Sequence, residues 1–571
     1  MGQKRDVCAT VREHQWFLTA QQRCDLDLLL SGAFSPLTGF LTSSDYHSVL
    51  ERMSLADGQL WPLPIVLDVP QSFAEQVQVG DEVVLAREDR TPLAVLSVDD
   101  VYAAAVDKEA ELVYGTTDPH HAGVAALYKR NSWLIGGPVR VLDAERLDLA
   151  RRVDFLPLYR TPGELKARFK RLGQPVVAFH TRNAMHGGHY TLTHKAQEQI
   201  GGHLLLHPTT GPTKPGDLSP AVRLKAIWAL TQSYPPNPDG SPSVTLATLP
   251  LAMRMAGPRE ALWHALVRQN FGVDYFIVGR APADPGGNPA RKDGYWYPPF
   301  EAQELMDKLK DQMSIRALTF PEYAWDPSAH TYTASTPENA SKLMGLSGTR
   351  VRQMLKNGED LPEWYAPAPV RRVLHDAYTV TARGAVVFLT GLPASGKSTL
   401  ANALYHVLTL RDQRSVTLLD GDVIRRHLSR GLGFSREDRI ENIERVGFVS
   451  NLVVRHGGLV VVAMVAPLEE GRRRFRDMVE PWGDFAEVYV ATPLGECERR
   501  DPKGLYRQAR EGRLAEMTGI QSPYEVPEAP DLTIISGERP FQEDLDRLVR
   551  FLEERQIIPE LEPGMVAAVT E

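Results

Sequence analysis

The sequence predicts a multidomain α/β protein, and three observations carry that prediction. Its 571 residues exceed what one ordinary domain accommodates. The first part of the chain sets short alternating strand patterns among Gly and Pro turns. From Gln174 onward, short wholly apolar strands alternate with helical patterns. Strands that are apolar on both faces and separated by helices belong to parallel sheets covered on both sides.

The elements follow in order. Residues 1–170 are expected as a β-rich domain, with strands at Pro64–Val69, Glu82–Ala86 and Ala94–Val98. Leu165–Leu172 is a basic amphipathic stretch, expected as a helix leading into the next domain. Residues 171–325 are expected as an α/β domain. Its strands are Val176–Phe179, His203–Leu206 and Tyr275–Val278, and its helices include Arg223–Leu230 and Pro258–Val267. Tyr234–Pro242, rich in Pro, Asn, Asp and Gly, reads as a loop. Residues 326–380 are expected as a small connecting domain, and 381–571 as a second α/β domain with a loose tail beyond Ile557.

Composition narrows the function classes. Hydrophobic residues make up 43% and charged residues 24% of the chain, which suits a soluble globular protein able to bury sizeable cores. The net charge of −8 argues against a general nucleic-acid binder. No apolar run is long enough to span a bilayer, and no apolar signal segment follows Met1–Asp6. Three cysteines, Cys8, Cys24 and Cys497, are too few and too scattered for a disulfide framework or a Cys-rich zinc site. Together these features predict a cytoplasmic protein without membrane or nucleic-acid partners.

The strongest motif is Gly391, Leu392, Pro393, Ala394, Ser395, Gly396, Lys397, Ser398 and Thr399, which fits G-x-x-x-x-G-K-[ST]. An apolar strand, Ala385–Leu389, precedes it, and a helical pattern with Leu400, Ala403, Leu404, Val407 and Leu408 follows. Strand, glycine turn and helix N-terminus aim backbone N–H groups and a helix dipole at one spot, which suits phosphates. Lys397 is expected to reach the outer phosphates and Ser398 to face Mg²⁺, with ATP as the nucleotide. Val416–Leu419 reads as a buried strand that delivers Asp420 and Asp422 at its C-terminal end, where ligands sit in open α/β sheets. A carboxylate there can coordinate Mg²⁺ or take a proton from an attacking hydroxyl. Ser398 and Asp420 are therefore the candidate metal residues. Arg425 and Arg439 offer guanidinium forks, Phe434 an aromatic face and Asn442 an amide. Arg499–Tyr506 is a charged, Gly-containing segment with the makings of a lid.

Four stretches carry a family resemblance: Asp420–Asp422, Gly433–Asn442, Asp501–Tyr506 and Thr518–Glu525 resemble adenylylsulfate (APS) kinase. The resemblance covers essentially all of 384–550 and implies a P-loop kinase domain with a parallel sheet. It implies transfer of the ATP γ-phosphoryl to the 3′-hydroxyl of APS, giving the 3′-phosphorylated product PAPS. In that scheme Asp422 is the base or metal organiser, with Asp420 beside it. Arg425, Phe434, Arg439 and Asn442 hold APS, and Lys503 belongs to the lid. Two positions depart from the family pattern. Val423 stands where Asn is frequent, and a Ser-Pro-Tyr-Arg segment reads Ala466–Glu469. Ala466 has no hydroxyl, which excludes a phosphoserine intermediate there.

A second constellation, Phe179–His189, follows an apolar strand and precedes a helical pattern. His186 and His189 are expected on one face at that helix N-terminus, where paired imidazoles can donate to nucleotide phosphates. A metal pair is the rival reading, with no clear third ligand. Leu30–Phe40, Pro250–His264 and Ser347–Thr349 resemble ATP sulfurylase, over about residues 1–380. The resemblance implies a PUA-like β domain and a Rossmann-like nucleotidyltransferase domain that joins sulfate to the AMP part of ATP. It places Arg182, Asn183, His186, His189, Arg280 and Ala283 on active-site positions. Its departures lie in that same site. The family Gln-Thr-Arg-Asn-Pro reads His180-Thr-Arg-Asn-Ala184, which exchanges an amide donor for a titrating ring and loses a proline. The family Gly-Arg-Asp-His-Ala-Gly-Pro-Gly reads Gly279-Arg-Ala-Pro-Ala-Asp-Pro-Gly286. Ala281 and Pro282 replace Asp and His, so a donor facing the nucleotide is gone and Pro282 also removes a backbone N–H, and Asp284 is expected to repel a triphosphate. Arg291 or Lys292 could act as substitutes.

The sequence thus predicts an APS kinase behind a sulfurylase-like domain that is inactive or impaired. A fully bifunctional enzyme and a non-catalytic nucleotide sensor are the alternatives. The resemblance also implies a homo-oligomer, a dimer or a hexamer.

Overall fold

The computed structural model describes residues 14–559 apart from 89–90, 145–146, 148–157, 213–217, 219, 380–382 and 413. Cys8, and the expected loose tail from residue 560 on, lie outside the described residues. The chain forms two compact units whose main division falls between His375 and Asp376.

In the first unit a β-rich layer contains β1 (Gln15–Phe17), β2 (Gly39–Phe40), β3 (Leu67–Val69), β4 (Glu82–Ala86), β5 (Pro92–Ser97), β6 (Asp100–Ala103) and β7 (Trp133–Val141). The order is β1-β4-β5-β7-β2, and β3 and β6 also pair with β7. Alternation is visible in β4, where Val83 and Leu85 are buried while Glu82 and Val84 are not.

The same unit holds a parallel sheet of β8 (Val176–Phe179), β9 (His203–Leu206), β10 (Val244–Leu246), β11 (Tyr275–Val278) and β12 (Arg316–Thr319). Its order is β10-β9-β8-β11-β12. The helix before it runs Pro162–Leu172, starting earlier than the apolar pattern because Thr161 and Glu164 form a capping box with Pro162 at the first turn. The Gly257–Asn270 helix is buried on nearly every side, so its sequence shows little amphipathic period. Phe34 packs against Trp61 and Trp263 at centroid distances of 5.7 and 5.2 Å, joining the β-rich layer to that helix in one apolar core. Beside them Arg254 makes two bonds, 2.6 and 2.7 Å, to the buried Asp25 carboxylate. A hairpin of β13 (Tyr323–Asp326) and β14 (Thr331–Ala334) follows, then the Gly348–Lys356 and Ala368–Thr379 helices.

The second unit is a parallel sheet of β15 (Ala385–Thr390), β16 (Val416–Asp420), β17 (Leu459–Ala463), β18 (Asp484–Val490) and β19 (Leu532–Ile534), ordered β16-β17-β15-β18-β19. Along β15 the residues divide by parity. Ala385, Val387 and Leu389 enter one core with the Lys397–Arg411 and Phe541–Glu554 helices. Val386 and Phe388 enter the other, with the Arg436–Arg455 and Glu469–Val479 helices. In both parallel sheets the chain reverses its direction of winding beside the central strand, β8 or β15. Crevices at such switch points, beyond the carboxyl ends of the strands, are where ligands bind.

Candidate functional site

In the second unit the Gly391–Thr399 turn leaves β15 and enters the Lys397–Arg411 helix. Gly396 has φ of +102°, and a Cβ there would stand 2.9 Å from the Ser536 hydroxyl, so glycine is required. The turn is propped by residues that no local motif announces. The Thr492 hydroxyl donates to the Ser395 carbonyl at 2.8 Å, and the Tyr506 hydroxyl donates to the Pro393 carbonyl at 2.9 Å. Lys397 is buried. Its ammonium donates to the Leu392 carbonyl at 2.6 Å and to the Ser395 hydroxyl at 3.3 Å. Burial pulls it down to about 8, against the opposing pull of the Asp420 and Asp422 carboxylates.

Asp420 caps the Gly421–His427 helix, its Oδ1 accepting from the Asp422 N–H at 2.9 Å. Its Oδ2 is buried without a partner. Asp422 sits in the first turn, half-exposed and ion-paired with Lys503. Lys503 is carried between the Leu494–Arg500 and Leu505–Arg510 helices, and Asp501 caps the second of these through the Tyr506 and Arg507 N–H groups at 3.1 and 3.0 Å. The lid segment is thus drawn onto the Asp-Gly-Asp turn.

Arg425 and Arg439 converge on Phe434, with guanidinium carbons 4.3 and 5.9 Å from its ring centroid. Phe434 is half-exposed. Arg439 is fixed by the Phe434 and Glu516 carbonyls at 2.6 and 2.7 Å and by the Thr518 hydroxyl. Asn442, on the same helix, is buried with its Oδ1 unpartnered. The structure therefore gathers a cationic, aromatic cluster on the Arg436–Arg455 helix and its N-terminal approach.

The donor set can be tested against Mg²⁺. That ion takes one or two carboxylate or hydroxyl ligands and completes its shell with phosphates and water. The orphaned Asp420 Oδ2 fits that demand. Among the described residues no group of three His, Cys, Asp or Glu could hold a metal ion.

The first unit places its loop at the end of β8. His186 is the cap of the Gly187–Ile200 helix, in extended conformation rather than in the first turn, and its Nδ1 accepts from the Gly188 N–H at 3.2 Å. That bond leaves the proton of the neutral ring on Nε2. His189 lies one turn on, with ring centroids 4.1 Å apart. Enclosure holds His186 well below the ordinary imidazole range and His189 at about 4. The Gly187 N–H donates to the Tyr365 carbonyl at 2.8 Å. Two of the helix's leading donors are therefore already bonded within the chain.

Three sequence expectations change here. His180 does not titrate as an ordinary ring. Its Nδ1 accepts from Arg268 at 2.7 Å, its Nε2 is buried and unpartnered, and burial together with His264 and Arg268 holds it well below the usual range. Asp284 does not project as a free charge. It is buried and accepts from the Gly286, Trp296 and Tyr297 N–H groups at 2.6, 2.8 and 3.0 Å, so the expected repulsion loses its basis. Arg291 binds Asp293 at 2.7 and 3.0 Å, which weakens it as a substitute donor. Arg280 is exposed, paired with Glu322 at 2.8 Å and stacked over Tyr295. Ala281 and Ala283 have φ of +45° and +56°, an unfavourable conformation for residues with a Cβ. Arg182 reaches the Asp284 carbonyl at 3.3 Å, Asn183 is exposed and Ala184 is buried.

Fold and site together define a P-loop phosphotransferase domain following a nucleotidyltransferase-type unit. Comparisons with known proteins agree. Family models match in order a PUA-like domain at 3–144, ATP-sulfurylase at 157–377 and adenylylsulphate kinase at 383–535. A sulfate adenylyltransferase of Phaeosphaeria nodorum is 39% identical over 552 residues, covering 95% of this chain and 94% of the relative. One from Gibberella zeae is 40% identical over 553 residues, with the same coverage. Among solved structures, the hexameric APS kinase from Thiobacillus denitrificans matches with a TM-score of 0.50 and 28% identity, covering 96% of this chain and 94% of that one. The chain belongs to the sulfate adenylyltransferase family, in the form that joins ATP-sulfurylase and APS-kinase domains.

Proposed function

We propose that the second unit transfers the γ-phosphoryl of ATP to the 3′-hydroxyl of APS, and that the sulfurylase reaction of the first unit is impaired or lost. The observation that carries the kinase reading is the intact phosphate turn, with the unpartnered Asp420 oxygen and Asp422 at the neighbouring strand end. Gly391–Thr399 would cradle the triphosphate, whose oxygens take the Lys397 ammonium from the Leu392 carbonyl. Ser398 and Asp420 would hold Mg²⁺ with the nucleotide, where it supplies charge neutralisation. Arg425, Arg439, Phe434 and Asn442 would hold APS. Lys503 would leave Asp422, freeing that carboxylate to accept the 3′-hydroxyl proton. The 3′-oxygen then bonds to the γ-phosphorus while the bond to the β–γ bridging oxygen breaks, and ADP departs. Direct in-line transfer needs no protein nucleophile, which suits Ala466.

Loss in the first unit is supported by Pro282 in place of a side-chain donor and a backbone N–H, by Ala281 in place of a carboxylate, and by Gly187 and Gly188 already bonded. Removing one preorganised donor costs about 10²–10³ in rate in well-studied sites. Full bifunctionality is the second reading, and the inward-turned Asp284 and the retained His186–His189 pair favour it. We further propose a cytoplasmic homo-oligomer. The test is to assay both half-reactions on the purified chain. APS-dependent ADP formation without pyrophosphate release from ATP plus sulfate is expected. Pyrophosphate release abolished by His186→Ala would establish bifunctionality, and no APS-dependent ADP would leave only a nucleotide sensor.

A further inference from the structure

Thr390 closes β15 and directly precedes Gly391, the first residue of the phosphate turn. It is buried. Its hydroxyl has one proton, which goes to the Val465 carbonyl, beyond the end of β17, at 2.7 Å. The Tyr524 hydroxyl, 2.9 Å from the same oxygen, is therefore the donor of the second bond. The Tyr524 ring stacks on Tyr489, the β18 partner of Thr390, with centroids 6.0 Å apart, and the Arg472 guanidinium carbon stands 5.8 Å from its centroid. Tyr524 belongs to a segment, 516–525, that reaches the acceptor cluster at its other end. Arg439 is held there by the Glu516 carbonyl and the Thr518 hydroxyl. The Gly519 N–H donates to the Ser522 carbonyl at 2.8 Å, which closes the segment on itself. A Cβ at Gly519 would stand 2.9 Å from the Leu392 side chain, so the segment also lies against the phosphate turn. Beyond Tyr524 the chain is fastened separately. The Glu525 N–H donates to the Pro467 carbonyl at 2.8 Å, and the Glu525 carbonyl accepts from Arg472 at 2.8 Å. Arg472 is buried and holds the Ala466 carbonyl at 2.7 Å as well.

We propose that Tyr524 and Thr390 are positioning residues for the phosphoryl transfer. Their hydroxyl pair sets the separation between the turn that carries the donor triphosphate and the Arg439 cluster that carries the acceptor. The inference rests on the kinase reading above. Neither hydroxyl proton is available to a substrate, since one goes to Val465 and the other to Thr390, so both residues act through others. In-line transfer to a hydroxyl tolerates little displacement, and a misplacement of about 1 Å can cost about 10²-fold in rate. The pair joins the two halves of the site at their closest backbone approach to Gly391. When the bond is lost, Arg472 and the Pro467 carbonyl still hold Glu525, so the segment stays attached. What is freed is its contact with the residue that leads into the phosphate turn. The register of donor against acceptor therefore depends on the bond, whereas the fold does not.

The experiment compares the purified full chain with Tyr524→Phe, Thr390→Val, the double variant, and Thr390→Ser, which keeps the hydroxyl. Each is followed by thermal melting and by kcat and KM for ATP and for APS. Labelled γ-phosphorus is divided between the 3′-position of APS and water. Tyr524→Phe and Thr390→Val are each expected to lower kcat about tenfold, with both KM values within about twofold of native. Melting is expected to stay within a few degrees of native, and a larger share of the label to be lost to water. The double variant is expected to lose no more than the worse single one, and Thr390→Ser to stay within about twofold of the native rate. A native chain that forms no APS-dependent ADP overturns the kinase reading and this inference with it. With the native chain active, a native kcat in Tyr524→Phe overturns the positioning role alone. So do losses that multiply in the double variant, losses confined to KM, a Thr390→Ser chain as slow as Thr390→Val, or activity that falls only in step with the amount of folded protein.

Discussion

Two parallel sheets in this chain each send a loop from their central strand into a helix N-terminus, and the two loops differ in what they leave available. After β15, the buried Lys397 rests on a carbonyl and a hydroxyl that a triphosphate can replace, and Asp420 Oδ2 has no partner. After β8, two backbone donors at the helix N-terminus are bonded within the chain, Gly187 to Tyr365 and Gly188 to His186, while His180 accepts from Arg268 at Nδ1 and keeps Nε2 unpartnered. The same topology thus yields a site with displaceable contacts in one unit and, in the other, a site whose leading backbone donors are bonded within the chain while ring nitrogens of His180 and His189 stay unpartnered. What decides function is the bonding state of a few groups at the strand end rather than the fold.

The contrast can be broken most sharply at Lys397. Lys397→Ala is expected to lower APS-dependent ADP formation by about 10³-fold while leaving the melting curve intact, since in the proposed complex the lysine would face the phosphates. A near-native rate would refute the role of the β15 turn. Asp422→Asn comes next, with an expected loss of about 10²-fold and of the acidic limb of the pH–rate profile, because an amide cannot accept the proton. An unaltered limb would assign it elsewhere.

A smaller effect sharpens the difference in titration. Lys397 is lowered to about 8, so above that pH the free turn is mostly neutral and triphosphate binding must take up a proton. ATP affinity is expected to be about tenfold weaker at pH 9 than at pH 7, with proton uptake at pH 9 visible by calorimetry in buffers of different ionisation enthalpy. The first unit responds to acid instead. His121, His189 and His203 are each lowered to about 4 by burial. Their unfolded forms titrate near 6.5, so stability is full above that value and is lost as pH falls toward 4. From pH 7 to pH 6 the first unit's melting midpoint is expected to drop by about 5 °C, with the second unit's nearly constant. Equal shifts in the two units, followed by calorimetry, would contradict this.

What was legible in the sequence was local. Strands β8, β9 and β11 span the expected runs, because burial on both faces favours apolar residues, and the buried His203 in β9 is paired with the Thr245 hydroxyl. The phosphate turn was legible because its glycines and lysine are contiguous. What escaped were partners distant in sequence. Thr492 and Tyr506 support the turn from about 100 residues away. Asp284 read as a repelling charge because nothing local shows that the Trp296 and Tyr297 amides turn it inward. His180 read as titratable for the same reason, since Arg268 lies 88 positions along the chain.

The most direct measurement is the fate of labelled γ-phosphorus when the purified chain is given ATP, Mg²⁺ and APS. The label is expected on the 3′-position of APS in equal amount to ADP formed, and nearly absent with Lys397→Ala. Label that stays in ATP, or appears only as free phosphate, would contradict the assignment of the second unit as an APS kinase.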